Sequence, residues 1–183
     1  MVPAMTWPHE SPPPPPDIPN HGSELETLNA FLDYYRSALV DRAWGLTHAQ
    51  LQIALPPSTL TLSRLIGHMA GVEYWWFADR FAGAEPDPVA TSLDWDADPD
   101  AEMTYAQTLS IEELLAWFNR ACDDSRGRVA AAGSLDQLSS RPHPRHGHHW
   151  NLRWILVHMI EEYARHCGHA DLIRESIDGS TVD

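Results

Sequence analysis

Two segments of the chain carry the side chains that could do chemistry. The first, Thr61-Leu-Ser-Arg-Leu-Ile-Gly-His68-Met-Ala-Gly-Val-Glu73, sets one histidine on an apolar helical stripe. The second, Trp154-Ile-Leu-Val-His158-Met-Ile-Glu-Glu162-Tyr-Ala-Arg-His166-Cys-Gly-His169, sets several. His158, Glu162 and His166 recur at i, i+4 and i+8, so they stack along one face with neighbours ~5–6 Å apart at Cβ, close enough for two of them to grip one ion. Zinc sites normally use at least three protein ligands, and His68 from the other segment is the natural third. Glu162 is flanked by Leu156, Val157, Ile160 and Ala164. Burying it unpaired there would cost several kcal/mol, and a cation is the simplest compensator. The constellation reads as a metal centre inside a helical bundle.

Spacing alone leaves the ligand set open. His158 precedes Glu162 by the same interval at which His166 follows it, and the two histidines are ~12 Å apart along a helix axis, too far to join one ion easily. His169 either hydrogen-bonds a ligand or substrate or sits on the surface. The tract His143-Pro-Arg-His146-Gly-His148-His149 has a metal-binding composition, but it reads rather as a loop near the mouth of the bundle, from which His148 or His149 could reach substrate. Cys167 projects about 100° away from His166 on the helix, which assigns it to packing. Trp75, Trp76, Trp150 and Trp154 read as core, with one or two free to wall a pocket.

Four helical stretches must position these groups. Ser23 with Glu26 forms a capping box, and Leu25, Leu28, Phe31, Leu32, Tyr35 and Leu39 keep a helical period to about Arg42. Thr47-His-Ala-Gln50 opens a short helical turn ended by Pro56-Pro57. Ser58 or Thr59 then starts the helix that carries His68 and runs to Ala82-Gly83. Ser110 with Glu113 opens a third helix, to about Ala132. The fourth runs from near Trp150 to about Ile177, before Gly179. Residues 84–108 show no sustained period and read as a long crossover. Asp96, Asp98 and Asp100 alternate as in a calcium loop, yet the required Gly and Glu are missing, so the stretch reads as solvated. The expected fold class is all-α, a four-helix bundle with a long crossover between helices two and three.

The 183 residues suit one domain, expected at 23–183, behind an arm over 1–22. Pro3, Pro8, Pro12 to Pro16 and Pro19 keep that arm out of a helix, either disordered or lying along a surface. A net charge of -14 argues against nucleic acid and anionic membrane as partners, and a homodimer is left open. All twelve basic residues are Arg, which excludes a lysine Schiff base. Two cysteines make no disulfide framework, and no signal-peptide pattern or membrane-length apolar run is present, so a cytoplasmic, reduced protein is expected.

Leu62 to Phe77 and Asn151 to Glu175 resemble the DinB-like four-helix superfamily, in its actinobacterial branch related to mycothiol-dependent transferases and maleylpyruvate isomerases. The resemblance covers nearly all of residues 23–183. It implies a divalent metal, zinc first, with nickel, manganese or iron as alternatives, held by one His of helix two and two ligands four apart on helix four. The matching positions are His68, Glu162 and His166. Many relatives carry His where this chain has Glu162, whereas the mycothiol-dependent isomerases carry Glu. His158 then falls beside the centre or into the core, and His158 and His169 become helpers. A His2Glu ion keeps a net positive charge and an open position, which suits activation of a bound thiol or water. The implied function is a metal-dependent transferase that activates a low-molecular-weight thiol such as mycothiol for addition to an electrophilic small molecule. The alternatives are a thiol-dependent isomerase, a hydrolase using metal hydroxide, and a metal-binding stress or interaction protein without turnover.

Overall fold

Ser23 and Glu26 open the first helix by exchanging bonds: the Ser23 hydroxyl accepts from the Glu26 amide, and the Glu26 carboxylate accepts from the Ser23 amide. This capping box starts α1, Glu24–Ala43. In the computed structural model, which describes residues 7–8, 11–85 and 87–181, Thr47 with Gln50 and Ser110 with Glu113 repeat the device. They start α2, His48–Leu51, and α6, Ile111–Ala131. The helix bearing His68, α3, spans Leu62–Glu73 and is capped by Thr61 rather than by Ser58 or Thr59. The Ser58 hydroxyl instead accepts from the Leu60 amide in a turn. Beyond Glu73 the chain continues as a π-helical segment, Tyr74–Phe81. The last helix, α7, spans Leu152–Asp178. Asn151 caps its start, and Gly179, at a φ of 77°, closes it in a left-handed turn that other residues rarely adopt.

The aperiodic stretch 84–108 is more ordered than its sequence suggests. It holds two short helices, α4 (Pro88–Ser92) and α5 (Ala101–Ala106). Its acidic residues serve the local backbone: Asp98 accepts from the Asp100 amide and the Thr104 hydroxyl, and Asp94 accepts from the Ala97 amide. That use suits turn caps rather than cation ligands.

The result is an all-α bundle. Among the described residues there is no strand, only an isolated antiparallel bridge between Leu138 and Asn151. α1 packs on α7, and α3 packs on α5, α6 and α7. Leu32, Leu39, Leu65, Met69, Phe77, Phe118 and Met159 fill the space between them. At the centre lies a polar cluster with one member from each long helix. Arg36 of α1 donates from Nε and Nη2 to both oxygens of Glu73 of α3, each at 2.7 Å. Tyr163 of α7 donates to Glu73 Oε1 at 2.8 Å, and Cys122 Sγ of α6 lies 3.9 Å from the same atom. All four residues are buried. Removing one partner from such a pair costs about 3–5 kcal/mol, because the other charge is stranded in the core. Glu73 shares α3 with His68, and Tyr163 directly follows Glu162. The cluster therefore sets the axial register of the two helices that carry the candidate ligands.

The arm is described at Trp7–Pro8 and from Ser11 on; the remainder of the 1–22 stretch lies outside the described residues. Trp7 donates its indole N–H to the Leu46 carbonyl at 2.8 Å, and its ring lies 4.8 Å from that of Trp44. No helix among the described residues is long and apolar enough to cross a membrane.

Candidate metal centre

His68 owes its surroundings to a glycine. A Cβ placed on Gly67 would fall 2.2 Å from the Cβ of Ala106, so glycine is what allows α5 to lie this close to α3. One turn back from Ala106, Glu102 reaches His68, and its Oε1 lies 3.0 Å from His68 Nδ1. A carboxylate at this distance takes a hydrogen bond from Nδ1–H, the tautomer in which Nε2 of His68 keeps its lone pair for a ligand. This is the arrangement by which an outer carboxylate orients a metal-binding imidazole.

α7 supplies the facing groups. His166 is buried and meets the His68 ring edge-on, with centroids 5.1 Å apart and planes at 79°. Burial above all, then His68, His169 and Arg165, push its pKa down to about 4, which leaves a neutral imidazole at pH 7. Its Nδ1 lies 3.3 Å from Nδ1 of His169, close enough to share one proton. With that proton on His166, its Nε2 is free, 3.5 Å from Glu162 Oε2. The other oxygen of Glu162 lies 3.5 Å from His158 Nε2. The His158 ring sits between Trp76 and Trp154, at 4.8 and 4.9 Å.

Of the residues singled out in the sequence, His68 and His166 thus come together across two helices, and His166, Glu162 and His158 follow one another along α7. Among the described residues, the triple whose ligand atoms all lie within 4.8 Å of one another is a different one, His158, Glu161 and Glu162. These share one helix face at i, i+3 and i+4, and Glu161 is half exposed and already paired with Arg165. Such clusters form on helix surfaces without an ion. The set His68, Glu162 and His166 offers two imidazoles and a carboxylate, donors that suit zinc and its neighbours in the first transition row. A second observation agrees with positive charge here: Oε2 of Glu102, beside His68, is buried and has no hydrogen-bond partner.

The histidine tract forms a closed turn. The His143 amide donates to the His148 carbonyl at 2.7 Å, and the His143 and His148 rings pack against Trp150 at 5.3 and 5.4 Å. His149 is tied through Nδ1 to the Ser139 carbonyl at 2.5 Å. Cys167 packs in the core with its thiol toward the Tyr35 carbonyl, and burial pushes its pKa up to about 12. Burial also pushes the Cys122 thiol up, with Glu73 adding to it. Of the four tryptophans, Trp76 and Trp150 are buried, while Trp75 and Trp154 are partly exposed.

Beside the centre lies a cavity of about 390 Å³ between α3, the π-helical segment and the α4–α5 stretch. Trp75, Trp95 and Trp117 contribute to its wall, and so does Glu102. Glu102 and Glu73 are the residues that sequence reasoning missed. Glu102 is hidden in an acidic, aperiodic stretch, and its signal was the pairing of Gly67 with the small residue Ala106. Glu73 was a lone acid at the end of an apolar stripe, recognisable only through a buried arginine on another helix.

Compared with known proteins, the chain matches the model of the mycothiol-S-transferase family over residues 27–179. No curated protein matches it.

Proposed function

The chain belongs to the mycothiol S-transferase family, and from that premise we propose that it joins the sulfur of a low-molecular-weight thiol, mycothiol first, to an electrophilic small molecule, using one divalent ion held by His68, Glu162 and His166. The observation that carries the ligand set is the meeting of His68 and His166 across two helices, with each Nδ1 engaged by a neighbour, Glu102 or His169. Bound there, zinc, or nickel, manganese or iron in the same donors, supplies positive charge that lowers the pKa of a thiol toward neutrality.

The chain's own residues explain why the thiol must come from outside. Both cysteines are free, buried and held as thiols, and no lysine is present, so the bundle offers neither a cysteine thiolate nor a lysine amine of its own as nucleophile. Glu102 fixes the His68 tautomer, His169 shares a proton with His166, and His158 stands against Glu162. These groups orient the ligands and hold protons near them. In the reaction the thiol S–H bond breaks and a carbon–sulfur bond forms at the electrophile; the proton stays on the adduct or departs with the displaced group. We place this chemistry in the reducing cytoplasm.

A thiol-dependent isomerase is the second reading, favoured by the carboxylate at position 162. In that case the thiol adds and is released again, so it is not consumed. The test is thiol consumption against a panel of electrophiles, with and without a chelator. Metal-dependent consumption supports the transferase. Product rearrangement at constant thiol supports the isomerase, and no acceleration with any thiol, mycothiol included, contradicts both and favours a binding protein.

A further inference from the structure

α7 turns one strip of its surface away from the bundle. Between positions 154 and 172 its exposed residues are Trp154, Val157, Glu161, Arg165, Gly168 and Leu172, spaced by three or four so that they form a single line about 27 Å long. Trp154, Val157 and Leu172 leave 46, 52 and 58% of their surface open. Large apolar groups aligned in this way mark an interaction surface. Trp154 is presented rigidly, its indole stacked on the His158 ring at 4.9 Å and set beside Trp76 at 5.3 Å. Gly168 is the unexpected member of the line. Glycine weakens a helix interior relative to alanine. Among the described residues, apart from its chain neighbours and its own helix backbone, no atom lies within 4 Å of where its Cβ would stand. The gap it leaves faces solvent.

The order of residues along the strip identifies its partner. When α7 is laid antiparallel on a copy of itself, about a two-fold axis at the level of Tyr163, each exposed residue meets its complement. Trp154 faces Leu172 of the second copy, Val157 faces the gap at Gly168, and Glu161 faces Arg165, each contact occurring twice. We propose that this face of α7 is a homodimer interface in which two chains pack α7 against α7 in that register. The strip holds one acid and one base in a chain of net charge -14, so two copies meet there without the repulsion that the net charge imposes elsewhere. Glu161 and Arg165 pair within the single helix. That exposed pair is weak, and its members exchange partners in the dimer at little cost. A strip about 27 Å long and about 10 Å wide falls short of the ~800 Å² per partner of a standard interface, so the dimer is a reversible one with a dissociation constant in the micromolar range. The strip borders the candidate centre, since Arg165 also lies 3.8 Å from Glu162, but the assignment does not rest on the transferase reading.

The test is sedimentation equilibrium of the full-length protein from about 5 μM to about 500 μM, a range that brackets such a constant. The wild-type mass should rise with concentration from 20.6 kDa toward twice that value. Glu161→Arg and Arg165→Glu each set like charges opposite one another and should weaken association at least about tenfold. Mixed in equal amounts, the two variants should dimerise again with the wild-type affinity, because the mixed pair restores opposite charges at both contacts. A parallel pairing or a different surface does not give that recovery. Gly168→Leu should also weaken association about tenfold by filling the gap, while its Tm does not fall, since leucine is the better helix residue and meets no neighbour in the single chain. A monomer at every concentration leaves the strip to some other partner and overturns the proposal. So does a dimer that neither charge variant weakens, or a mixture of the two that fails to reassociate.

Discussion

Glu102 Oε1 and His68 Nδ1 lie 3.0 Å apart, joining α5 to α3 across a separation of 34 positions in the chain. This contact leaves Nε2 of His68, the nitrogen proposed to hold the metal, on the side of the ring away from Glu102, and it exists because Gly67 and Ala106 let the two helices touch. Outer carboxylates of this kind are worth about 10–100-fold in metal affinity. Glu102→Ala should therefore weaken metal binding by that factor, measured by competition with a chromophoric chelator, while the protein remains folded. Gly67→Ala should weaken it too, by pushing α5 away. Unchanged affinity in Glu102→Ala would mean that the carboxylate orients nothing.

The Glu102 contact marks where the sequence stopped being legible. Helix starts at Ser23, Thr47 and Ser110 were readable because capping boxes act over three residues, and the α7 stripe was readable because His158, Glu162 and His166 keep one helical period. The start of α3 was misplaced because Ser58 and Thr61 both resemble caps; only the local turn at Leu60 decides between them. α4 and α5 are too short to show a period, and α5 takes its place from packing on α3. Glu73 was unreadable for a related reason: its partners Arg36, Cys122 and Tyr163 are brought to it by three different helices.

Stability should depend on pH through His166. Its folded pKa is lowered to about 4 from an ordinary 6.5, so between these values the unfolded chain binds more protons than the folded one. Metal-free protein should keep its full stability from this group above pH 6.5 and lose it as pH falls toward 4. Discounted for partial solvent access, the loss is on the order of 1–2 kcal/mol. Denaturant midpoints at pH 7.5 and 5 should differ more in the wild type than in His166→Ala. Equal differences would show that His166 is not held neutral.

The arm makes a specific contact, and removing it should be felt. Trp7 stacks near Trp44 and bonds the Leu46 carbonyl, so Trp7→Ala should cost roughly 1–3 kcal/mol. For a chain of this size that is about 2–4 °C in Tm for each kcal/mol. Deleting residues 1–20 should give a similar drop and no larger one, since the described prolines of that stretch are mostly exposed. An unchanged Tm would mean that the arm contributes nothing to stability.

The most direct measurement is metal content by elemental analysis in the wild type, His166→Ala and His158→Ala, with thermal melts to show that each protein is folded. A centre made by His68, Glu162 and His166 gives one divalent ion per chain in the wild type, loss of that ion in His166→Ala and its retention in His158→Ala. Retention in His166→Ala together with loss in His158→Ala would contradict this set and move the centre to His158, Glu161 and Glu162 on the face of α7.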